Sequence, residues 1–316
     1  MKRKIQTLLL LACYLFCACS SEDIADIPSP DNNEPVYLKI SFGAQTYAHA
    51  ADPQEKELHS VAFFIQTAQG GFYKFLSEDN QLSDALSGTS GNYSAGIRID
   101  ASDYSGTTKV WAIGNYKENG LESTLRSVGN INDLKAVKSI ALSGETDKPE
   151  CPLVLCGSQD VNLMQTASVQ IRLKRMVARI DVESLSDSFE LISALLYNPK
   201  SQGYVLPGNT PADITVIGQV SRFAVVQATD TKNIKALYSF ETTGAEAQTP
   251  IIIVIGKHNG VEKVLNVALK SSGGSAVIKP NGYYLLRVKA SSDGKLVFSF
   301  SDIDDWEDED GDLEAK

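Results

Sequence analysis

The sequence predicts a mainly β protein, two β-sandwich domains with one or two short helices, carried behind a lipoprotein signal peptide. Three observations predict it. Short runs of alternating apolar and polar residues recur along the chain, with the period of half-buried strands. Turn signals such as Gly70-Gly71, His258-Asn259-Gly260 and Ser292-Asp293-Gly294 separate them. Val, Ile, Thr and Tyr are plentiful while Met and Trp are scarce, which favours strands over helices.

In chain order the signal comes first, over residues 1–18. Lys2, Arg3 and Lys4 are a basic start, and Ile5 to Phe16 is a mostly apolar stretch. That stretch is too short to span a bilayer, which takes about 20 apolar residues. Lipoprotein signals put a small residue before the cysteine that is acylated and becomes the new N-terminus. Ala18 precedes Cys19, whereas Phe16 precedes Cys17, so the reading is cleavage between Ala18 and Cys19 with lipid on Cys19. An ordinary secretory signal with a chance cysteine is the alternative, and Phe16 stands where leucine is usual. Several acyl chains on one cysteine hold firmly, because each buried methylene contributes about 0.8 kcal/mol. Residues 19–35 are acidic and contain Pro28, Pro30 and Pro35, the composition of a flexible linker between lipid and folded body.

The first domain is expected over 36–185. Val36, Leu38, Ile40 and Phe42 alternate with Tyr37, Lys39 and Ser41, and Val61 to Ile65 reads as a more buried strand. Phe72 to Phe75, Ile97 to Ile99 and Lys109 to Gly114 come next as strands. Leu121 to Leu142 reads as helical, broken at Gly129 and capped anew by Asn130 or Asn132. Val169 to Leu173 and Ala178 to Val182 read as one long strand, or as a strand bulged near Lys174-Arg175-Met176, with Arg179, Asp181 and Glu183 on its polar side. A boundary near Glu183 to Ser188 opens the second domain, 186–306. Its strands are expected at Leu191 to Tyr197, at Ile251 to Ile255 (buried on both faces), at Val264 to Leu269, at Tyr283 to Val288 and at Lys295 to Phe300. Residues 307–316 form an acidic tail. Asp304, Asp308 and Asp310 faintly suggest a calcium loop, but the ligand order and the closing Glu do not fit, so a solvated, mobile terminus is expected.

Composition excludes some functions. The formal charge is -10, and more negative once the three signal cations are removed, which argues against nucleic acid. Of five cysteines, Cys151 and Cys156 remain in the body. Along a strand they would lie roughly 16 Å apart, too far for a disulfide. With no His or third Cys nearby, two buried thiols are expected and no metal or cofactor. His49, His59 and His258 pair with nothing at ligand spacing, and no nucleophile, phosphate-loop or zinc-protease motif occurs, so no enzyme activity is expected.

Several patches in order resemble the fimbrillin family of Bacteroidetes-type (type V) pilus lipoproteins. Ser20-Ser21-Glu22-Asp23 resembles the acidic tag of surface-exposed lipoproteins in that lineage. Glu57 to Ile65, Lys109 to Asn115 and Pro152 to Gly157 are similar to family strands. Leu173-Lys174-Arg175-Met176-Val177-Ala178-Arg179-Ile180 is the most specific match, and Lys279 to Tyr284 and Asp305-Trp306 also fit. The resemblance implies two transthyretin-like sandwiches and a place in the outer membrane and the pilus. It also implies pilin partners joined by strand exchange. In that scheme a protease removes the first strand after a basic residue, and a neighbour's strand fills the slot. Here the loop from Ala44 to Pro53 contains no Arg or Lys, and Lys56 lies beyond it. The strand carrying Val36, Leu38, Ile40 and Phe42 is therefore expected to be retained, as in a lipid-anchored anchor or minor subunit. A surface adhesin or glycan-binding module, and a pilus tip subunit, are the alternatives, with surface ligands as further partners.

Overall fold

The computed structural model describes residues 36–44, 52–68, 70–76, 87–89, 92–99, 107–143, 147–162, 168–197, 199–206, 225–242, 250–271, 274–275, 277–291, 293–302 and 311–313. In chain order the elements are β1 (Val36–Ala44), a 3-10 turn (Pro53–Lys56), β2 (Val61–Gln66), β3 (Phe72–Leu76), β4 (Ser87–Thr89), β5 (Asn92–Ile99) and β6 (Thr107–Gly114). Then come helices α1 (Glu122–Ser127) and α2 (Ile131–Lys135), β7 (Leu155–Asn162), β8 (Ser168–Arg175), β9 (Ala178–Ser184) and β10 (Phe189–Tyr197). The chain continues with β11 (Val226–Gln227), β12 (Asn233–Ser239), β13 (Ile251–His258), β14 (Val261–Ala268), β15 (Lys270–Ser271) and β16 (Gly274–Ser275). It closes on β17 (Tyr283–Ala290), β18 (Leu296–Asp302) and β19 (Gly311–Leu313).

The first sandwich is one eight-stranded sheet, ordered β3-β2-β6-β7-β8-β1-β5-β4, folded over on itself. Val61, Phe63, Ile65, Val110 and Ala112 from one half pack against Ile40, Ala95, Ile97, Val169 and Ile171 from the other. The opposite faces of β2 and β6 are also covered. Ala62, Phe64, Trp111 and Ile113 join a second cluster with Leu125, Leu134 and Val137. Burial on both faces is why Val61 to Ile65 is a continuous apolar run.

The helical stretch is shorter than expected. The Asn130 side-chain oxygen accepts the amides of Asn132 at 2.8 Å and Asp133 at 3.0 Å, so Asn130 is the cap of α2. Residues after Lys135 leave the helix because their backbone groups pair elsewhere: the Ser139 amide donates to Gly203, the Leu142 amide to Ser201, and the Val205 amide to Val137.

A five-stranded sheet, β12-β9-β17-β18-β19, and a four-stranded sheet, β11-β10-β13-β14, make the second sandwich. Ile180, Val182, Leu286, Val288 and Phe298 meet Ala194, Leu196, Ile252 and Val254 between them. The Asn259-Gly260 turn has positive φ at both residues, 52° and 78°, as a two-residue hairpin joining β13 to β14 requires.

Four further expectations are corrected. Residues 169–183 are not one strand: β8 pairs with β1 and β7, while β9 pairs with β12 and β17. The chain crosses between the sandwiches at Met176-Val177, where the Met176 amide donates to Val154 and the Val177 carbonyl accepts from Asn281. By its pairing β9 stands with the second sandwich, ahead of the division expected near Glu183 to Ser188. β13 is buried on one face only, Ile251, Ile253 and Ile255 being partly exposed, because nothing among the described residues covers that side of the four-stranded sheet as completely. Within the acidic tail, Gly311–Leu313 pairs with Phe298–Phe300 of β18, because β18 is otherwise an open edge with unpaired amides.

Cys151 and Cys156 are both free thiols. Burial pushes the Cys156 thiol up to about 12. At pH 8 its thiolate fraction is then about one in ten thousand. A thiol-specific alkylating reagent is expected to modify folded protein at no more than Cys151, and to reach Cys156 only in denaturant. Peptide mass mapping of the labelled protein checks this, and fast native labelling of Cys156 contradicts the burial.

Candidate functional site

The first strand is the centre of interest. β1 runs parallel to β8, with Ile40 beside Val169 and Phe42 beside Ile171, and antiparallel to β5, with Val36 beside Ile99 and Ile40 beside Ala95. It is an interior strand, hydrogen-bonded on both edges. Ile40 is fully buried and Lys39 is exposed, the alternation the sequence predicts. Val36, Leu38 and Phe42 hold their expected register in the same strand. Taking β1 away would leave two strand edges with unpaired amides and an apolar slot beneath them. Ala18 and Cys19 lie outside the described residues.

The segment from Asp52 to Ser60, beyond the loop after β1, is fastened in place. Arg179 projects from β9 and is 4% exposed. Its Nη1 donates to Asp52 Oδ2 and to Glu55 Oε1, each at 3.0 Å, and its Nε and Nη2 grip Asp181 at 2.9 and 3.0 Å. Glu55, in the 3-10 turn, is 1% exposed. Its Oε1 also accepts from the Tyr238 hydroxyl at 2.7 Å, and its Oε2 from the Asp52 amide at 3.2 Å. Asp181 is satisfied in turn by the Tyr283 hydroxyl at 3.0 Å and the Ala236 amide at 2.8 Å. Burial alone would lower the basicity of Arg179. The hydrogen bond and charge of Asp181, with Glu55 and Asp52, outweigh it and hold the guanidinium ionised. Burial, together with the Glu55 charge, likewise keeps the Tyr238 phenol protonated.

The same segment is held again a few residues on. Asn115, buried with φ of 59°, accepts the His59 amide at 2.9 Å and donates to the carbonyls of Glu57 at 2.9 Å and Leu153 at 2.8 Å. The Arg175 Nε donates to the Glu55 carbonyl at 3.2 Å. Both neighbours of Lys56 thus have their carbonyls engaged. A protease needs an extended, released substrate segment, and this one is neither. Trypsin acting on native protein is expected to give no fragment beginning at Glu57, checked by intact mass of the products.

Sequence reasoning placed Arg179 and Asp181 on a polar, solvent-facing side. Instead β9 is buried on both faces, because the turn at Pro53–Lys56 covers the side that alternation assigned to water. Two opposite charges at i and i+2, within a run otherwise apolar, were the available signal. Glu55, Tyr238 and Tyr283 carried none, since the fold alone brings them to Arg179. Among the described residues no group of three or more His, Cys, Asp or Glu is placed to hold a metal ion.

No protein-family model and no curated protein matches this chain. Solved structures do. The C-terminally truncated tip fimbrial protein Mfa3 of Porphyromonas gingivalis superposes with a TM-score of 0.58 at 16% identity, over 86% of this chain and all of that one. A fimbrial assembly protein of Parabacteroides distasonis gives 0.53 at 15%, covering 88% and 99%. A Bacteroides eggerthii protein named for a proposed role in cell adhesion gives 0.55 at 12%, covering 86% and 98%. At such identities the comparison speaks for the fold alone: over 86–88% of its length this chain shares the fold of these fimbrial and adhesion proteins.

Proposed function

We propose that this chain is a structural subunit of a surface pilus, anchored in the outer membrane by lipid on Cys19 and joined to other pilins by β-strand exchange. The observation that carries the anchor role is the β1 region. The strand is built into the interior of a sheet, the loop behind it offers no Arg or Lys, and the next basic residue, Lys56, follows Glu55, whose buried carboxylate is held by Arg179. A strand that stays in place keeps the acyl chains joined to the sandwich, which a membrane-proximal subunit needs.

A tip position is the second reading, favoured by the similarity to a tip fimbrial protein along the whole of its C-terminally truncated chain. The solitary adhesin remains the reading for a chain that does not polymerise. Mass spectrometry of the mature N-terminus, on protein taken from the cell surface, tests the anchor role. Acylated Cys19 is the expected start, and material starting beyond residue 50 overturns it. Detergent-resistant ladders on unboiled gels separate a pilus subunit from a solitary adhesin.

A further inference from the structure

A cleft of about 1040 Å³ lies on the outer face of the first sandwich, along β8, the neighbour of β1. It opens where β7 and β8 part. The two strands pair only at Leu155–Arg175 and Cys156–Lys174. Gly157 sits at the fork, where a Cβ would collide with the Arg172 carbonyl oxygen, so no larger residue allows the strands this approach. Along β8 the outward side chains Gln170, Arg172 and Lys174 are exposed, while α2 and Leu206 form the opposite wall. Trp111 contributes to the floor, with the Lys109 ammonium 5.7 Å from its ring centre.

The charge of this cleft runs against that of the chain. Among the described residues four cations, Lys109, Lys135, Arg172 and Lys174, line it and no Asp or Glu does, in a protein of net charge -10. Lys109 meets Asp160 at 3.8 Å on the margin, whereas Lys135, Arg172 and Lys174 make no ion pair among the described residues. Between the cations stand the primary amides of Gln66, Gln159 and Gln170. Each amide both donates and accepts, which matches vicinal hydroxyls. Arg172 suits a carboxylate or sulfate bidentately. Ligand clefts typically enclose roughly 300–1,000 Å³, and this one, lined mostly by polar side chains, is slightly larger.

We propose that this cleft binds an acidic oligosaccharide, carboxylated or sulfated. A polyanion of any kind would use the cations; the three amides are partners for sugar hydroxyls, and they favour a glycan over an acidic peptide. The site does not depend on the pilus reading, because N-terminal processing and glycan binding are measured separately.

The test is calorimetric titration of the mature full chain with hexagalacturonate, a heparin hexasaccharide, neutral maltohexaose and hexaglutamate. At least one acidic hexasaccharide is expected to bind, more weakly as salt rises, and the arm that responds distinguishes carboxylate from sulfate recognition. The double variant Arg172→Ser with Lys174→Ser, both exposed, is expected to weaken binding about tenfold or more at unchanged melting temperature. Lys135→Ser, on the opposite wall, serves if the double variant is unstable. The proposal is overturned if neither acidic saccharide binds, or if maltohexaose or hexaglutamate binds as tightly. It is also overturned if a folded variant binds like the wild type.

Discussion

Arg179→Met is expected to cost about 3–5 kcal/mol of folding stability, measured by urea unfolding at neutral pH. The side chain lost is similar in volume, so the cost is electrostatic. Glu55 and Asp181 stay buried while their shared cation is gone, and Asp52 loses its partner as well. Tyr238 and Tyr283 still donate to those carboxylates, but neutral donors offset only part of two buried negative charges. Arg179→Lys is expected to recover little, because an ammonium cannot grip Asp181 bidentately and reach Glu55 at once. The change also releases the turn at Pro53–Lys56, so trypsin should now cut at Lys56 in otherwise native conditions. A loss below about 1 kcal/mol would mean that water reaches these carboxylates, and the lock would then be an ordinary surface network.

Removal of β1 should have the larger effect. A chain starting at Asp52 keeps the slot between β5 and β8 but not its occupant. Two ladders of strand pairing and the place of Ile40 in the core are lost together. Such a protein is expected to lose the cooperative unfolding of its first sandwich and to aggregate through the exposed edges. A synthetic peptide with the sequence of Val36–Ala44, added in trans, is expected to restore both solubility and the transition. The same peptide carrying Ile40→Asp should bind at least about a hundredfold more weakly, since an unpaired carboxylate in that core costs several kcal/mol. If the truncated chain unfolds like the intact one and ignores the peptide, β1 is an ornament of the sheet and no slot for a donor strand exists.

Both results concern the same stretch of chain, from β1 to Ser60. Its second half is tied to β9, β12 and the residue that follows β6, since Glu55 meets Arg179 and Tyr238 while Glu57 and His59 meet Asn115. The loop between them is thus bounded by two fixed points. Loss of β1 in such an arrangement changes one slot without unravelling the segment from Asp52 onward. That property suits strand exchange, and the expected retention of β1 rests both on the lack of a basic residue in the loop and on the hold of the turn around Lys56.

Much of this was legible beforehand, for local reasons. Alternation along Val36–Phe42 reports a strand with one face in oil and one in water, as buried Ile40 beside exposed Lys39 bears out. Asn-Gly and Asp-Gly report turns because few other residues tolerate positive φ. Asn130 was readable as a cap because its side chain competes for the amides two and three residues on. Each signal depends on neighbours within a few positions, so a linear reading reaches it. By itself the sequence determined the β class, many of the strands, the hairpin turns and the absence of a basic residue in the loop after β1, and it raised Cys19 as the expected lipid site. Only the tertiary structure decided that residues 169–183 divide between two sandwiches, that Arg179 and Asp181 are buried against Glu55, and that four cations gather in one cleft of an acidic protein. Such features depend on which surfaces cover one another across long separations in the chain, and burial, unlike periodicity, is a property of the partner as much as of the residue.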